Sequence, residues 1–225
     1  MQTLKTSLFY TGLFLQCAVS AALAQGTFQN LNFESANVTG YPVGSSTVPI
    51  SSALPGWTGP SLIWYDTLSL GGALVSINDT NTGFGFVPIQ GRYSAYLFSQ
   101  GLNSPTSVTI SQTGLVPGGT MSLQAKMAWF GAAPVVKLGG QTINMVPLQT
   151  FPDYVLYGGD IPPSLAGQVA LLSFTEPPPA QSSPGGLLLD SIIFSPQQIP
   201  EPSGLALSGL GAFLLGFFRR RNSSP

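Results

Sequence analysis

The segment that decides the fold reads TMSLQAKMAW and covers residues 120–129. Every second position is apolar and most positions between them are polar, which is the two-residue period of a β-strand with one buried face. The period predicts which side chains point inward. They are Met121, Leu123, Ala125, Met127 and Trp129. Pro117-Gly118-Gly119 comes before this strand and predicts a turn.

The same short alternations recur along residues 25–195, and no stretch keeps a helical period. Gly, Pro, Asn and Ser separate them, as turn residues do. The other predicted strands cover residues 62–66, 74–77, 93–99, 107–112, 135–138, 142–146, 154–157, 169–175 and 187–194. About ten short strands in a segment of ordinary domain size predict an all-β fold, a single jelly-roll or β-sandwich domain.

The charge content of the chain excludes one class of partner. Charged residues make up 7% of the sequence, against about 25% in ordinary globular proteins. Between residues 25 and 199, three basic side chains face seven acidic ones, a net charge of −4. Because such a surface cannot neutralise a row of phosphates, nucleic acid is not an expected partner.

The first 24 residues have the three parts of a secretory signal peptide. Lys5 supplies a positive charge, residues 8–19 are apolar, and Ala22 and Ala24 frame a small-x-small cleavage site. Cleavage after Ala24 would leave a domain over residues 25–199. A buried N-terminal helix and a lipoprotein signal at the single cysteine of this stretch are the alternatives.

The C-terminal end carries three elements in sequence. A Pro-Glu-Pro triplet comes first, an uncharged apolar run over residues 203–218 comes second, and an arginine cluster comes third. The triplet and the cluster consist of Pro200, Glu201, Pro202, Arg219, Arg220 and Arg221. As a helix the run would be about 24 Å long, slightly shorter than the hydrocarbon core of a membrane. The arginines would stay on the cytoplasmic side, and residues 222–225 form a short tail.

These elements resemble the PEP-CTERM sorting signal of Gram-negative bacteria over residues 200–221. The resemblance implies recognition by exosortase, an integral membrane protease or transpeptidase. It also implies a precursor anchored by a C-terminal transmembrane helix, and then a protein at the cell surface or outside the cell. A plain membrane anchor that is never cut is the alternative, and a run of this length could also be a core helix.

Five short segments of the middle region share a second resemblance. They are Asn32-Phe33-Glu34, Leu54-Pro55-Gly56-Trp57, Ile110-Ser111-Gln112, Leu115-Val116-Pro117-Gly118-Gly119 and Leu189-Asp190-Ser191-Ile192. Together they resemble the galactose-binding-like jelly rolls of secreted carbohydrate-binding modules. In that group a structural calcium often lies between the opening segment and the last strand, which implies Glu34 and Asp190 as its ligands here.

Asp190 stands out for a reason that does not depend on this resemblance. Apolar residues surround it in the last predicted strand. A carboxylate in such surroundings is costly unless it is ion-paired, coordinated to a metal or hydrogen-bonded. The alternative to calcium is therefore that Asp190 caps backbone N–H groups.

Aromatic side chains could present a flat apolar surface to a sugar ring. Trp57, Trp64 and Tyr65 are the first candidates, and Trp57 follows a Pro-Gly turn. The alternative is that these rings pack in the core, as aromatics in sandwiches usually do. If the three line one exposed concave surface, they indicate a carbohydrate-binding module. If they are buried, they favour a structural or adhesive role.

The sequence does not predict an enzyme. The chain has no histidine, and its one cysteine lies in the predicted signal peptide, so the common general base and thiol nucleophile are missing. Asp153 and Asp160 could be offered as a glycosidase pair, but a turn or short helix-cap role fits Asp160 better. We therefore expect an exported structural or adhesive surface protein, with a polysaccharide-binding module as the alternative.

Overall fold

The computed structural model describes residues 26–44, 46–67, 74–82, 85–99, 106–178 and 184–200. Within these residues the chain forms two β-sheets, one four-residue helix (α1, Ile50–Ala53) and one 3-10 turn at Pro163–Leu165. The predicted all-β sandwich is confirmed. The following predicted features lie outside the described residues: the cleavage residues Ala22 and Ala24, the apolar run 203–218, and the sorting residues Glu201, Pro202, Arg219, Arg220 and Arg221.

The strands of the described part are numbered β1 to β12 along the chain. Their bounds are Thr47–Pro49, Leu62–Tyr65, Leu74–Asp79, Tyr93–Ser99, Val108–Leu115, Ser122–Phe130, Val135–Leu138, Gln141–Ile143, Val146–Thr150, Val155–Asp160, Val169–Glu176 and Gly185–Ser195. The larger sheet has the order β1-β2-β3-β4-β12-β6-β10-β9, and the smaller one β5-β11-β7-β8. All pairs are antiparallel except β2 with β3.

The strand predicted from residues 120–129 becomes β6, between β12 and β10. Leu123, Ala125 and Met127 are fully buried, as the period predicted. Met121 is a correction: it comes before the strand begins and is 45% exposed. The single strand predicted over residues 142–146 is also wrong, because the chain leaves the smaller sheet after β8 and enters the larger one at β9.

The main core lies between the two sheets and includes a line of three aromatic rings. The ring centroids of Phe33 and Trp57 are 5.6 Å apart, and those of Trp57 and Phe174 are 6.3 Å apart. Trp57 Nε1 also donates a hydrogen bond to the carbonyl oxygen of Asn30 at 3.1 Å. Burying a ring such as Phe33 stabilises the fold by about 1.5–3 kcal/mol. This packing fixes the opening segment against the sandwich and so positions Glu34.

Candidate binding groove on the larger sheet

The outer face of the larger sheet carries a line of side chains across five adjacent strands. Residues paired directly across strands share a face of the sheet, so the register identifies the line. It consists of Trp64, Ser76, Tyr96, Leu188 and Ala128. A shorter line beside it consists of Phe98, Gly186 and Phe130. At the usual strand spacing, the longer line extends about 19 Å across the sheet.

A loop over residues 85–92 folds back over this face and adds exposed aromatic surface. The ring of Phe86 packs on that of Tyr96, with centroids 4.7 Å apart. Phe86 and Val87 remain 39% and 79% exposed, and Phe130 nearby is 43% exposed. Exposed large apolar groups that gather in one place mark a binding surface more often than chance exposure does.

These groups enclose a cavity of about 300 Å³, which we call the outer groove. It is lined by Phe86, Val87, Tyr96, Ala128, Trp129, Phe130, Asp153, Gly186 and Leu188. A Cβ on Gly186 would lie 2.7 Å from Tyr96 Oη and 2.6 Å from the ring of Phe130. Because only glycine leaves this space, Gly186 allows the two rings to close over the floor of the groove.

A second cavity of about 470 Å³ adjoins the outer groove, since Ala128, Trp129 and Asp153 line both. Its wall includes the turn at residues 151–154, where the rings of Phe151 and Tyr154 stack with centroids 4.5 Å apart. Both cavities have the size of a site for a small organic ligand. Together they form one aromatic channel along the edge of the outer face.

Polar groups border the aromatic surface. Lys126 Nζ lies 5.4 Å from the ring centroid of Tyr154 and hydrogen-bonds Gln90 Oε1. Asp153 is exposed at the position shared by the two cavities. A sugar ring needs this combination, because its C–H faces contact aromatic rings while its hydroxyls bond to polar side chains.

Three polar side chains of the sheet hold the loop that carries Phe86. Asn78 Nδ2 donates to the carbonyl oxygen of Phe86 at 3.0 Å, and Ser94 Oγ accepts from the N–H of Ile89 at 2.9 Å. Asp190 Oδ2 accepts from the N–H of Gln90 at 3.0 Å and from Ser94 Oγ at 2.7 Å. Asp190 is thus a buried carboxylate that caps backbone N–H groups.

Glu34 holds the far end of the same loop. Its Oε1 accepts hydrogen bonds from the N–H groups of Arg92 and Tyr93, at 2.9 and 3.1 Å. Gly91 passes close to this carboxylate with φ +66°, a conformation that favours glycine. The structure therefore brings Glu34 and Asp190 to the same end of one loop, where they bond the N–H groups of Arg92 and Gln90, two residues apart. Their shared structural effect is to position the wall of the outer groove.

The described hydrogen bonds of the two carboxylates give no support to a calcium site, which stays a prediction. Each described hydrogen-bond partner of Glu34 and Asp190 is an N–H or O–H donor, whereas calcium needs oxygen lone pairs. Burial raises the pKa of Asp190, and hydrogen bonds from Ser94, Gln90 and Ser191 partly offset that rise. Within the described residues, no three acidic, histidine or cysteine side chains group as a metal site.

The calcium prediction has a direct test in thermal unfolding. We expect neither added calcium nor a chelator to move the melting temperature of the exported protein, because N–H and O–H donors already bond Glu34 Oε1 and both carboxyl oxygens of Asp190. A ligand that binds only the folded state raises the melting temperature. A rise with calcium that Glu34→Gln and Asp190→Asn both abolish would therefore restore the calcium site.

The structure corrects two of the three predicted ligand aromatics. Trp57 and Tyr65 are 3% and 5% exposed in the main core, so neither can present a ring face to a ligand. The hydroxyl of Tyr65 donates to Asp79 Oδ2 at 2.8 Å, and burial together with this bond raises the pKa of Tyr65 to about 12. Trp64 is half-buried at one end of the outer line, against the Tyr96 cluster.

A third cavity, of about 450 Å³, lies beside Glu34, Tyr65 and Arg92. Arg92 donates from Nε and Nη2 to Asp79, at 3.1 and 2.9 Å for the shortest contacts. Burial acts to raise the pKa of Asp79, but the hydrogen bonds from Arg92, the N–H of Asn81 and Tyr65 outweigh it and lower that pKa. These charges satisfy each other and brace the start of β4.

The two carboxylates offered as a glycosidase pair are too far apart. Asp160 ends β10, while Asp153 precedes its first residue, Val155. A strand rises about 3.4 Å per residue, so β10 alone separates them by about 17 Å. Glycosidases hold their two carboxyl groups about 5 to 10 Å apart, which excludes this pair. Asp160 instead accepts the N–H of Ile199 at 2.8 Å.

Comparison with protein families assigns the C-terminal segment. Residues 198–222 match the family described as the PEP-CTERM protein-sorting motif. The motif implies an exported protein of a Gram-negative bacterium that exosortase processes at the membrane. Comparison with the curated proteins gives no match. Among the described residues, none of the helices has the length and apolar character to cross a bilayer.

Solved structures with a similar arrangement include enzymes and binding modules. An apo cyclase from Fischerella sp. has 14% identity and a TM-score of 0.46, covering 75% of this chain and 94% of the cyclase. The CBM27-1 module of Caldicellulosiruptor saccharolyticus, solved with mannohexaose, has 14% identity and a TM-score of 0.40, covering 70% and 100%. TmCBM61, solved with β-1,4-galactotriose, has 12% identity and a TM-score of 0.41, covering 76% and 100%. This degree of likeness does not extend to ligand or activity.

Proposed function

We propose that this chain is an exosortase-sorted surface protein whose β-sandwich binds a neutral oligosaccharide in the outer groove. The observation that carries the proposal is the pair of exposed rings, Phe86 and Phe130, together with the half-buried ring of Tyr154, beside hydrogen-bonding side chains. Asp153 lines the channel and Lys126 lies beside its Tyr154 ring, and these two charges are opposite in sign, which favours an uncharged ligand over a polyanion.

The remaining parts of the proposal concern the route to the surface. Residues 1–24 act as a signal peptide cut after Ala24, and residues 25–199 form the exported domain. Residues 200–221 hold the precursor in the membrane until the sorting enzyme processes it. The mature protein then acts at the cell surface or in the extracellular matrix as an adhesive component without catalytic activity.

A purely structural role is the second candidate, and one observation favours it. Two of the three aromatics predicted to bind sugar are core residues. A structural protein needs no ligand for its outer groove, whereas the binding proposal requires saturable binding of at least one glycan.

The test is a titration of the exported, processed protein with neutral β-linked oligosaccharides of increasing length. We expect binding that strengthens with chain length until the two cavities of the aromatic channel are filled. An acidic oligosaccharide of matched length is the control. If no neutral glycan binds, the binding proposal is wrong and the structural role is the function that remains.

A further inference from the structure

The sorting motif begins where the folded domain ends. Strand β12 stops at Ser195, and the Pro-Glu-Pro triplet starts at Pro200. Only residues 196–199 lie between them, and the match to the sorting motif already begins at residue 198. The domain therefore has no long linker before the triplet. The contacts of residues 196–199 determine how accessible the start of the triplet is to an enzyme.

Two of these four residues, Gln197 and Ile199, are bound to the sandwich by hydrogen bonds. Ser122 Oγ donates to the carbonyl oxygen of Gln197 at 2.6 Å, and the N–H of Gln197 donates to Ser195 Oγ at 3.1 Å. The N–H of Ile199 donates to Asp160 Oδ1 at 2.8 Å. Asp160 is the last residue of β10 and Ser122 the first of β6, so neighbouring strands of the larger sheet hold the segment.

The side chain of Ile199 is also inserted into the domain. Ile199 is only 9% exposed, although Pro200 beside it is exposed. A Cβ on Gly158 would lie 2.7 Å from Ile199 Cδ1 and 2.7 Å from Leu148 Cδ1, so glycine at this position of β10 makes room for both side chains. We call residues 196–199 with their partners Ser122, Gly158 and Asp160 the C-terminal clasp.

The clasp has a consequence for cleavage of the motif. Proteases act on exposed, mobile backbone, and a segment held in a folded domain is cut only after it opens locally. When opening and closing are fast, the cleavage rate follows the fraction of molecules that are open. Residues 196–198 are exposed, so the restraint acts at Ile199, whose backbone directly before Pro200 is held while its side chain stays inserted.

We propose that Ile199 and Asp160 are positioning residues for sorting: the clasp restrains the backbone directly before the Pro-Glu-Pro triplet, and its opening limits processing by the membrane sorting enzyme. This inference rests on the proposed exosortase processing of the chain. The enzyme then receives its substrate only as the tail leaves the domain, so folding of the sandwich and release of the mature protein are linked.

The experiment follows processing of the full chain in a Gram-negative host with an exosortase-type enzyme and in the same host without it. Pulse-labelling and mass spectrometry of the C-terminus measure the rate and position of cleavage. Asp160→Ala removes one hydrogen-bond acceptor and should raise the rate about 2- to 10-fold. Ile199→Ser should raise it further. Ile193→Ser, which changes an isoleucine of β12 that is 50% exposed, serves as the control.

A second variant guards against effects of unfolding. Insertion of Gly-Ser-Gly-Ser between Ile199 and Pro200 leaves the clasp closed but frees the triplet, so processing should accelerate at an unchanged melting temperature. Equal rates for wild type, Asp160→Ala and Ile199→Ser would overturn the inference. The inference would also be overturned if the insertion accelerates processing but neither substitution does, because the delay would then come from steric hindrance by the folded domain and not from the clasp. A wild-type chain that the enzyme never cuts contradicts the sorting proposal itself.

Discussion

Replacing Phe86 and Phe130 together by serine will weaken oligosaccharide binding by about 100-fold or more. Both rings line the outer groove and are partly exposed, so they offer the faces on which a sugar ring can lie. Truncation of one central aromatic anchor typically costs about 2 kcal/mol or more, and each 1.4 kcal/mol is a tenfold change in affinity. Titration calorimetry with the strongest-binding neutral glycan measures the loss.

The matched control removes equally exposed apolar groups from the opposite side of the molecule. Val169 and Leu171 on β11 of the smaller sheet are 39% and 47% exposed. The double variant Val169→Ser/Leu171→Ser should bind like wild type. If it loses affinity as strongly as the Phe86/Phe130 variant while both remain folded, the glycan does not lie in the outer groove.

Replacing Glu176 by glutamine will remove most of a pH-dependent loss of stability. Glu176 is the last residue of β11 and is completely buried, and among the described residues neither of its carboxyl oxygens has a hydrogen-bond partner. It faces Gly185 of β12, where a Cβ would lie 2.4 Å from Glu176 Oε1. Burial without compensation raises the pKa of Glu176 from its ordinary value of 4.5 to about 8.

The sign of the effect follows from proton linkage. The folded state holds this proton more tightly than the unfolded state. At pH values below the ordinary pKa of Glu176 the carboxyl is protonated in both states, so its ionisation does not lower the stability of the fold. The free energy of unfolding then falls as the pH rises towards 8. At about 1.4 kcal/mol per pKa unit, the loss between pH 5 and pH 8 is on the order of 3 kcal/mol.

Urea unfolding at pH 5 and pH 8 measures this difference. In the Glu176→Gln variant we expect unfolding free energies at the two pH values that differ far less than in wild type. Glutamine still buries an unpaired amide, so the two proteins should be closest in stability at pH 5. Asp153→Asn, which neutralises an exposed carboxylate, should show the same difference in unfolding free energy between pH 5 and pH 8 as wild type. If the unfolding free energy of Glu176→Gln falls between pH 5 and pH 8 as much as that of wild type, ionisation of Glu176 does not destabilise the folded protein.

The sandwich was predictable because its signal is local. Leu123, Ala125 and Met127 repeat every two residues in the sequence and point into the core of the structure. The break within residues 142–146 was not predictable, because the chain crosses between sheets there without a proline or glycine to mark it. Periodicity shows which residues share a face but does not show where a strand changes sheets.

The groove was not predictable, because it depends on register and on a loop. Phe86 lies outside any alternating segment, and its place above Tyr96 is set by hydrogen bonds to Asn78, Ser94 and Asp190 on three different strands. Trp57 shows the opposite error, because it was predicted to be exposed and is buried. It follows a Pro-Gly turn, which suggests exposure, yet its ring fills the space between Phe33 and Phe174.

Asp190 shows how far a physical argument from sequence can reach. Its apolar neighbours required that the carboxylate be satisfied, and the structure does place it at 1% exposure among hydrogen-bond donors. The partners could not be named in advance, because Gln90 and Ser94 are about a hundred residues away. The sequence predicts the need for a partner, while the topology supplies it.

Hydrogen exchange of the exported protein, with and without a saturating neutral oligosaccharide, measures most directly whether the outer groove is a binding site. The amides of residues 85–92 and 149–154 should exchange more slowly with the ligand bound, while those of residues 169–175 on the smaller sheet should not change. Protection confined to the smaller sheet, or no protection with any neutral glycan, would contradict a carbohydrate-binding groove on the larger sheet.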